Sequence, residues 1–382
     1  MTAGPGGPAG AGLGAALTRT WRVLLPALSI VTFVGAVAAI AWSAGSTLGY
    51  DYQAYVQAAG RLLDGKALYD PSVDVAGPFA IYLYPPPFAL AMVPFTWLPA
   101  SAGPGAWTIF LAAVHATAVG VMPVRPTVRW WTLLLSGVCW PFLYSIKLGQ
   151  VGPLLLLAFA AGWRWRDRPA VTGLATAIGT AIKLQPALLF GWALATGRRR
   201  AVAIGVAALI VAALATTALT GLGAWSDYVR ILSRVSAPVT TPHNYTIGAL
   251  AYGAGVGLEA ATVLQWLFVG LAAVVVLGAW WKGDPEAGYL ATVVGSQVVS
   301  PLLWEHYAML LLLPMAYLLQ RRQWWAALIP LAPWLGPPAY PVIFLVGLVA
   351  PLLVARRADG RDPAPDARTE GRHSPGPEAR PA

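Results

Sequence analysis

The sequence predicts an all-α, polytopic integral membrane protein, and three observations carry that reading. The 382-residue chain is 58% hydrophobic and only 10% charged, with a mean hydropathy of +0.63, a balance foreign to soluble domains of this length. Its apolar segments recur without strict alternation, which favours helices over a transmembrane barrel. Its net charge of +10 comes from 25 Lys and Arg against 15 Asp and Glu. Much of that excess lies in short links between apolar runs, a pattern that orients a membrane protein and does not imply nucleic acid. The single Cys139 lies inside an apolar run and excludes an intramolecular disulfide or a cysteine metal cluster.

The two ends come first. Residues 1–18, rich in Gly, Ala and Pro, and residues 356–382, a mixture of Arg, Asp, Pro and Gly, lack apolar periodicity and are expected to be disordered cytoplasmic tails. Residues 19–355 then form the transmembrane domain. The run from Val23 to Ala44 is too long for a signal-peptide core and lacks a cleavage site, so it is expected as a retained first span.

Arg125 with Arg129, Arg164 to Arg168, Arg198 to Arg200, Lys282, Arg321 with Arg322, and Arg356 with Arg357 mark the cytoplasmic links. Parity sets the rest. If the first span exits, residues 45–83 lie outside and the run from Pro104 to Met122 returns inward. The stretch 84–98 then does not cross; it is expected to be re-entrant or interfacial behind Tyr84-Pro85-Pro86-Pro87. A single helix over residues 169–196 would be roughly 40 Å long against a hydrocarbon core of about 30 Å, with arginines at both ends. A broken helix pair at 170–196, turning at Lys183-Leu184-Gln185-Pro186, keeps both clusters inside, and Pro186 disfavours an uninterrupted helix. Further spans near 130–146, 150–163, 201–222, 260–281, 286–301, 306–319, 323–336 and 341–355 bring the total to about twelve passes. Both termini lie inside. The outer loops 45–83 and 223–258 are long enough for short amphipathic helices, one of them from Ala54 to Leu63 with Tyr55, Ala58, Ala59 and Leu62 on one face.

With the arginines assigned to one side, the polar residues that interrupt apolar runs gather at the other mouth: Asp51, Lys147, Gln150, Lys183, Gln185, His243, Asn244, Glu305 and His306. Water-excluded protein rarely retains such groups without a task. Asp51 follows the first span, where a partly desolvated carboxylate gains basicity and suits a general base; taken alone it is more commonly a cap for the following helix. Lys183 at the helix break can clamp a phosphate or simply snorkel; near a bilayer centre it costs roughly 2.5 to 3.5 kcal/mol. Gln150 either binds sugar or satisfies a helix connection. Glu305 and His306 are adjacent, so on a helix they diverge by about 100° and make a poor metal site. His115, His243 and His373 show no ligand spacing, so no metal or cofactor is expected.

The run Asp51 to Ala59, then Gly65, Leu68-Tyr69, Tyr84 to Phe88, Leu148-Gly149-Gln150-Val151, Ile182 to Pro186, His243-Asn244, Ser300-Pro301 and Trp304 to Tyr307, in that order, resembles glycosyltransferase family 87. The family belongs to the GT-C class of helical bundles and comprises polyprenyl-phosphate-sugar-dependent mannosyltransferases and arabinosyltransferases of actinobacteria. The resemblance spans most of residues 22–340. It departs at Gly152, where Asn is usual, at Gln185, where Thr is common, and at Tyr307, where a second His often stands.

The resemblance implies inverting transfer of a mannosyl residue from a polyprenyl-phosphate donor to a hydroxyl of a glycolipid or polysaccharide at the outer face of the plasma membrane, with arabinofuranosyl transfer as the alternative. It implies Asp51 as the base. Lys183 and His306 are then expected at the departing phosphate, and Tyr55, Tyr84, Gln150, Gln185, His243, Asn244 and Glu305 in the substrate cavity. A secondary transporter or lipid flippase is the reading from another class, since broken helices and buried polar groups also describe those. No inverted repeat is visible, and the polar groups cluster at one mouth, which favours an enzyme.

Overall fold

A computed structural model describes residues 9–69, 81–235, 237 and 239–359. Among these residues every regular element is helical and no strand occurs. The chain runs through α1 (Ala9–Ala44), α2 (Tyr50–Leu63), α3 (Pro86–Ala91), α4 (Gly103–Val121), α5 (Pro126–Ser136), α6 (Trp140–Leu148), α7 (Gly152–Arg164) and α8 (Pro169–Ile182). It continues through α9 (Leu188–Ala195), α10 (Arg199–Thr220), α11 (Gly223–Val235), α12 (Ile247–Gly253), α13 (Leu258–Lys282), α14 (Pro285–Val298), α15 (Leu312–Gln320) and α16 (Ala339–Asp359).

Proline punctuates this order. Helices α4, α5, α6, α7, α8 and α14 each carry Pro in their first two positions, where its fixed φ fits a helix and its missing N–H leaves nothing unpaired. Five helices are long and apolar enough to cross a membrane, and six if α5 and α6, bent by 63° at their junction, act as one span. Near that bend Gly137 lets α1 approach: a Cβ there would lie 3.0 Å from the Thr32 carbonyl oxygen.

Helices α1, α10 and α13 display apolar side chains outward, Val31, Val211 and Leu267 among them. Helix α14 is buried from Ala287 to Val298, and α15 from Leu312 to Leu319. A segment apolar on all sides is stable only when enclosed on all sides, and here α14 packs against α13 and α16, and α15 against α5 and α16.

Several elements run between the same two ends of the bundle. One end gathers arginines: Arg125 Nη2 donates to the Gln320 carbonyl at 3.0 Å, Arg321 pairs with Glu286 at 3.2 Å, and Arg198 pairs with Asp167 at 2.6 Å. That last pair joins the link before α8 to the link after α9. The two helices therefore form a hairpin that returns the chain to the end it left, with Lys183 at the tip in extended backbone. The broken pair expected at 170–196 takes this form.

Four expectations need correction. The expected tail at 1–18 is helical from Ala9 onward, and residues 1–8 lie outside the described residues. The expected tail at 356–382 likewise begins inside a helix, since α16 continues to Asp359; His373 and residues 360–382 are not described. Segment 323–336 is no helix but two 3-10 turns, Trp324–Leu328 and Ala332–Leu335. Pro330, Pro333, Gly336, Pro337 and Pro338 break the run. It still travels between the ends, from Gln320 beside Arg125 to Tyr340 beside Glu305. Finally, Asp51 is no cap: the N-cap of α2 is Gly49, and Asp51 sits in the first turn.

Segment 84–98 forms α3 and a 3-10 turn, Val93–Trp97, six and five residues long and too short to cross. The segment after α2 meets α11 where Tyr69 packs against Tyr228, with ring centroids 5.8 Å apart.

Candidate active site

Two left-handed glycines build the site. Gly49 (φ +72°) opens α2 and Gly149 (φ +72°) closes α6, a conformation that costs other residues a Cβ clash. The two turns lie back to back. Gly49 N–H donates to the Lys147 carbonyl at 2.9 Å, and Trp107 Nε1 donates to the Gly149 carbonyl at 2.8 Å. A Cβ on Gly149 would stand 3.1 Å from the Gly49 Cα. The residues just past these turns, Asp51 and Gln150, consequently meet.

Gln150 is almost fully buried and both ends of its amide are occupied. Its Nε2 donates to Asp51 Oδ2, and its Oε1 accepts from the Tyr84 hydroxyl at 2.8 Å. Tyr84 and Tyr55 share a hydrogen bond of 2.8 Å between hydroxyls, and Tyr69 Oη donates to the Tyr84 carbonyl at 2.6 Å. Tyr55 is 0% exposed. Tyr55 and Gln150, both expected in the substrate cavity, are each buried with their polar atoms hydrogen-bonded within the protein.

Burial pushes the Asp51 carboxyl up to about 6, against the opposing pull of the Gln150 hydrogen bond and of the Lys183 ammonium. A group with that value is ionised at neutral pH yet basic enough to accept a hydroxyl proton in a transition state.

Lys183 projects from the hairpin tip into aromatic rings. Its Nζ lies 4.3 Å from the centroid of Tyr307, 5.4 Å from Tyr84 and 5.8 Å from Trp304, and donates to the Tyr307 hydroxyl at 3.2 Å. Ring faces stabilise a cation without neutralising it. Among the described residues no carboxylate lies within ion-pair distance of this ammonium, which leaves its charge available to an anion. Gln185 Nε2 lies 3.3 Å from the Ser300 hydroxyl and 3.5 Å from that of Tyr307.

His306 is buried at the edge of the Tyr307 ring, centroids 4.9 Å apart, and packs on Trp304. Neither of its ring nitrogens has a hydrogen-bond partner among the described residues. Glu305 points elsewhere: it accepts from the Trp140 indole N–H and from the Tyr340 hydroxyl at 3.1 Å. Tyr340 stacks on Tyr245 at 4.6 Å, and Trp140 on Tyr144 at 5.7 Å. A carboxylate bordered by flat aromatic faces suits a sugar, whose C–H faces pack on rings while its hydroxyls donate.

Asn244, expected in the substrate cavity, is bound to backbone. Its Oδ1 accepts from Leu303 N–H at 2.9 Å and its Nδ2 donates to the Pro301 carbonyl at 3.2 Å. The side chain therefore anchors the backbone that leads to Glu305 and His306. His243 is exposed, in left-handed backbone at φ +56°.

Sequence reasoning named Ser300 and Trp304 only as parts of the family motifs and Tyr307 only as a departure from one of them, and it passed over Trp140 and Tyr340. The signal was present in Trp304 and Tyr307, aromatic residues flanking a Glu-His pair. Their partner Lys183 lies more than a hundred residues away, so only the fold reveals the cage. No group of three or more His, Cys, Asp or Glu residues with metal-binding geometry occurs among the described residues.

Sequence comparison finds a family and described relatives. A polyprenol-phosphate-mannose-dependent alpha-(1-2)-phosphatidylinositol mannoside mannosyltransferase of Mycolicibacterium smegmatis is 27% identical over 340 residues, covering 78% of this chain and 75% of its own. Its counterpart of the same description from Mycobacterium tuberculosis is 26% identical over 289 residues, 67% of each chain. A polyprenol-phosphate-mannose-dependent alpha-(1-2)-phosphatidylinositol pentamannoside mannosyltransferase of Mycolicibacterium smegmatis is 28% identical over 371 residues, 85% of each. No solved structure matches the chain significantly. The model of glycosyltransferase family 87 matches residues 82–304, which include Tyr84, Gln150, Lys183 and Asn244. The chain belongs to glycosyltransferase family 87 and is a membrane-embedded glycosyltransferase.

Proposed function

We propose that this protein transfers a mannosyl residue from a polyprenyl-phosphate donor to a hydroxyl of a glycolipid or polysaccharide at the outer face of the plasma membrane, with inversion at the anomeric carbon. The three relatives are all described as polyprenol-phosphate-mannose-dependent, which supports mannose over arabinofuranose. The observation that carries the reading is the link from Asp51 to Lys183 through Tyr84, whose hydroxyl bonds the Gln150 that holds Asp51 and whose ring meets the Lys183 ammonium.

In the reaction the acceptor oxygen attacks the anomeric carbon, Asp51 takes its proton, and the bond from carbon to the phosphate oxygen breaks. The departing polyprenyl phosphate gains negative charge as that bond breaks, and Lys183 with His306 stabilises it. A cation fixed before the reaction reorganises little during it and so favours the transition state. Glu305, bordered by Trp140 and Tyr340, accepts hydroxyls of the sugar; Gln185, Tyr84, His243 and Asn244 complete or support the cavity wall.

The depth of the site suits a lipid donor. Helix α8 has 14 residues, which at about 1.5 Å each carries the chain roughly 21 Å from the arginine end, short of a hydrocarbon core of about 30 Å. The reacting phosphate is thus met below the outer surface, where its polyprenyl chain remains in lipid beside segment 84–98. The orientation that follows puts the arginine end and both termini in the cytoplasm and loops 45–83 and 223–258 outside, with about twelve passes for the 19–355 domain once the shorter helices, the hairpin arms and the irregular traverse at 324–338 are counted.

The test is incorporation of radiolabelled mannose from a polyprenyl phosphate into membrane glycolipid by purified protein. Asp51→Asn should lower the rate by about 10²- to 10⁴-fold with the chain still inserted. Substantial turnover in that variant removes Asp51 from the base role. Activity with an arabinofuranosyl donor alone reassigns the sugar.

A further inference from the structure

The arginine end of the hairpin carries an open cleft of about 410 Å³ lined by Arg166, Asp167, Arg198, Arg199 and Arg200. Its single lining carboxylate, Asp167, and the nearby Glu286 are already matched. Asp167 pairs with Arg198 at 2.6 Å, and Glu286, 4.0 Å from Arg166, also holds Arg321 at 3.2 Å. Arg199 and Arg200 are exposed at the start of α10 and make no ion pair among the described residues. The cavity therefore carries uncompensated positive charge on a preformed wall. Arginines that merely fix orientation need no cavity between them.

The flank of the cavity is apolar. Helices α8 and α10 meet backbone to backbone, since a Cβ on Gly173 would collide with the Ala201 carbonyl. Beyond that contact they expose Leu174, Ile178, Val206 and Ile210. A bare phosphate ion has no use for such a surface, whereas acyl chains do.

We propose that this cavity binds the phosphate headgroup of an anionic phospholipid from the adjoining leaflet, with Arg199 and Arg200 on the phosphate and the acyl chains along Ile178 and Ile210. Guanidinium groups match phosphate oxygens in pairs. The bound lipid braces the base of the hairpin whose tip carries Lys183, and binding does not depend on which sugar the enzyme transfers.

Purified full-length protein in neutral detergent, titrated with dioctanoyl phosphatidylglycerol, dioctanoyl phosphatidylcholine or inorganic phosphate and followed by native mass spectrometry and thermal unfolding, tests this. The expected result is one tightly held phosphatidylglycerol per chain and a rise in Tm with that lipid alone. In Arg199→Gln/Arg200→Gln the affinity should fall about 30-fold, from roughly 1 kcal/mol per arginine. Equal affinity for the two lipids, or affinity unchanged in the double variant, overturns the site. Inorganic phosphate binding as tightly as phosphatidylglycerol overturns the lipid assignment. The comparison of the three probes on wild-type protein decides the matter even where the variant fails to fold.

Discussion

Gln150 holds Asp51 by its amide nitrogen and takes the Tyr84 hydroxyl on its amide oxygen. One buried side chain thus aligns the proposed base with the ring that lies against Lys183.

A pH dependence follows. Asp51 accepts a proton only when ionised, and burial pushes its carboxyl up to about 6, so kcat/KM for transfer should fall as pH drops through about 6. The Gln150 hydrogen bond pulls the other way, favouring the ionised form. Gln150→Leu should therefore move the acidic limb to higher pH. A limb that stays in place would show that the titrating group is not Asp51.

Lys183 and Tyr307 should behave as a unit. Lys183→Met removes the cation from the departing phosphate and should reduce kcat by about 10²- to 10³-fold. Tyr307→Phe keeps the ring 4.3 Å from the ammonium and deletes only the hydroxyl that receives it, so its loss should be under about tenfold. Donor kinetics on the two single variants and the double variant check this. Strictly multiplicative losses would mean that the two residues act independently.

How much was legible beforehand depends on the distance over which each feature is set. The break at Lys183 is local: arginines at both ends of an apolar run and Pro186 at its middle suffice, and Arg198 beside Asp167 is the closed hairpin they imply. The candidate groups were legible too, because ionisable residues are rare in such a chain. Their partners were not. That Gln150 serves Asp51 while Asn244 serves the backbone of Pro301 and Leu303 depends on contacts across 99, 57 and 59 residues. Hydropathy also misjudged 323–336, which is apolar enough for a span but too rich in proline for a helix. The start of α2 was placed too late, since a left-handed Gly49 as N-cap leaves little trace in apolar periodicity.

Gly149→Ala should be more damaging than its size suggests. The left-handed backbone alone costs a residue with a Cβ about 1–2 kcal/mol, and here the new carbon also meets Gly49 Cα and Tyr52 Cβ, each at 3.1 Å. Gly255→Ala serves as the control: its φ is +94°, with nothing within 4 Å of the added carbon. Thermal unfolding should show a clearly larger loss of Tm for Gly149→Ala, accompanied by loss of transfer because the turns that join Asp51 to Gln150 separate. Equal losses in the two variants would mean that the contact between the turns is not close.

His306→Phe should separate stability from activity. The imidazole is buried beside Trp304 and Tyr307 with both nitrogens unpaired among the described residues, and leaving a polar group in that state costs about 1–3 kcal/mol. A phenyl ring of similar shape avoids the cost, so the variant should unfold at the same temperature as the wild type or higher. If the imidazole donates to the phosphate during transfer, the same variant should lose about tenfold or more in kcat. A residue kept despite its cost to stability marks a functional demand. Unchanged kcat in a stabilised variant would leave His306 as packing, and the departing phosphate would then rely on Lys183 alone.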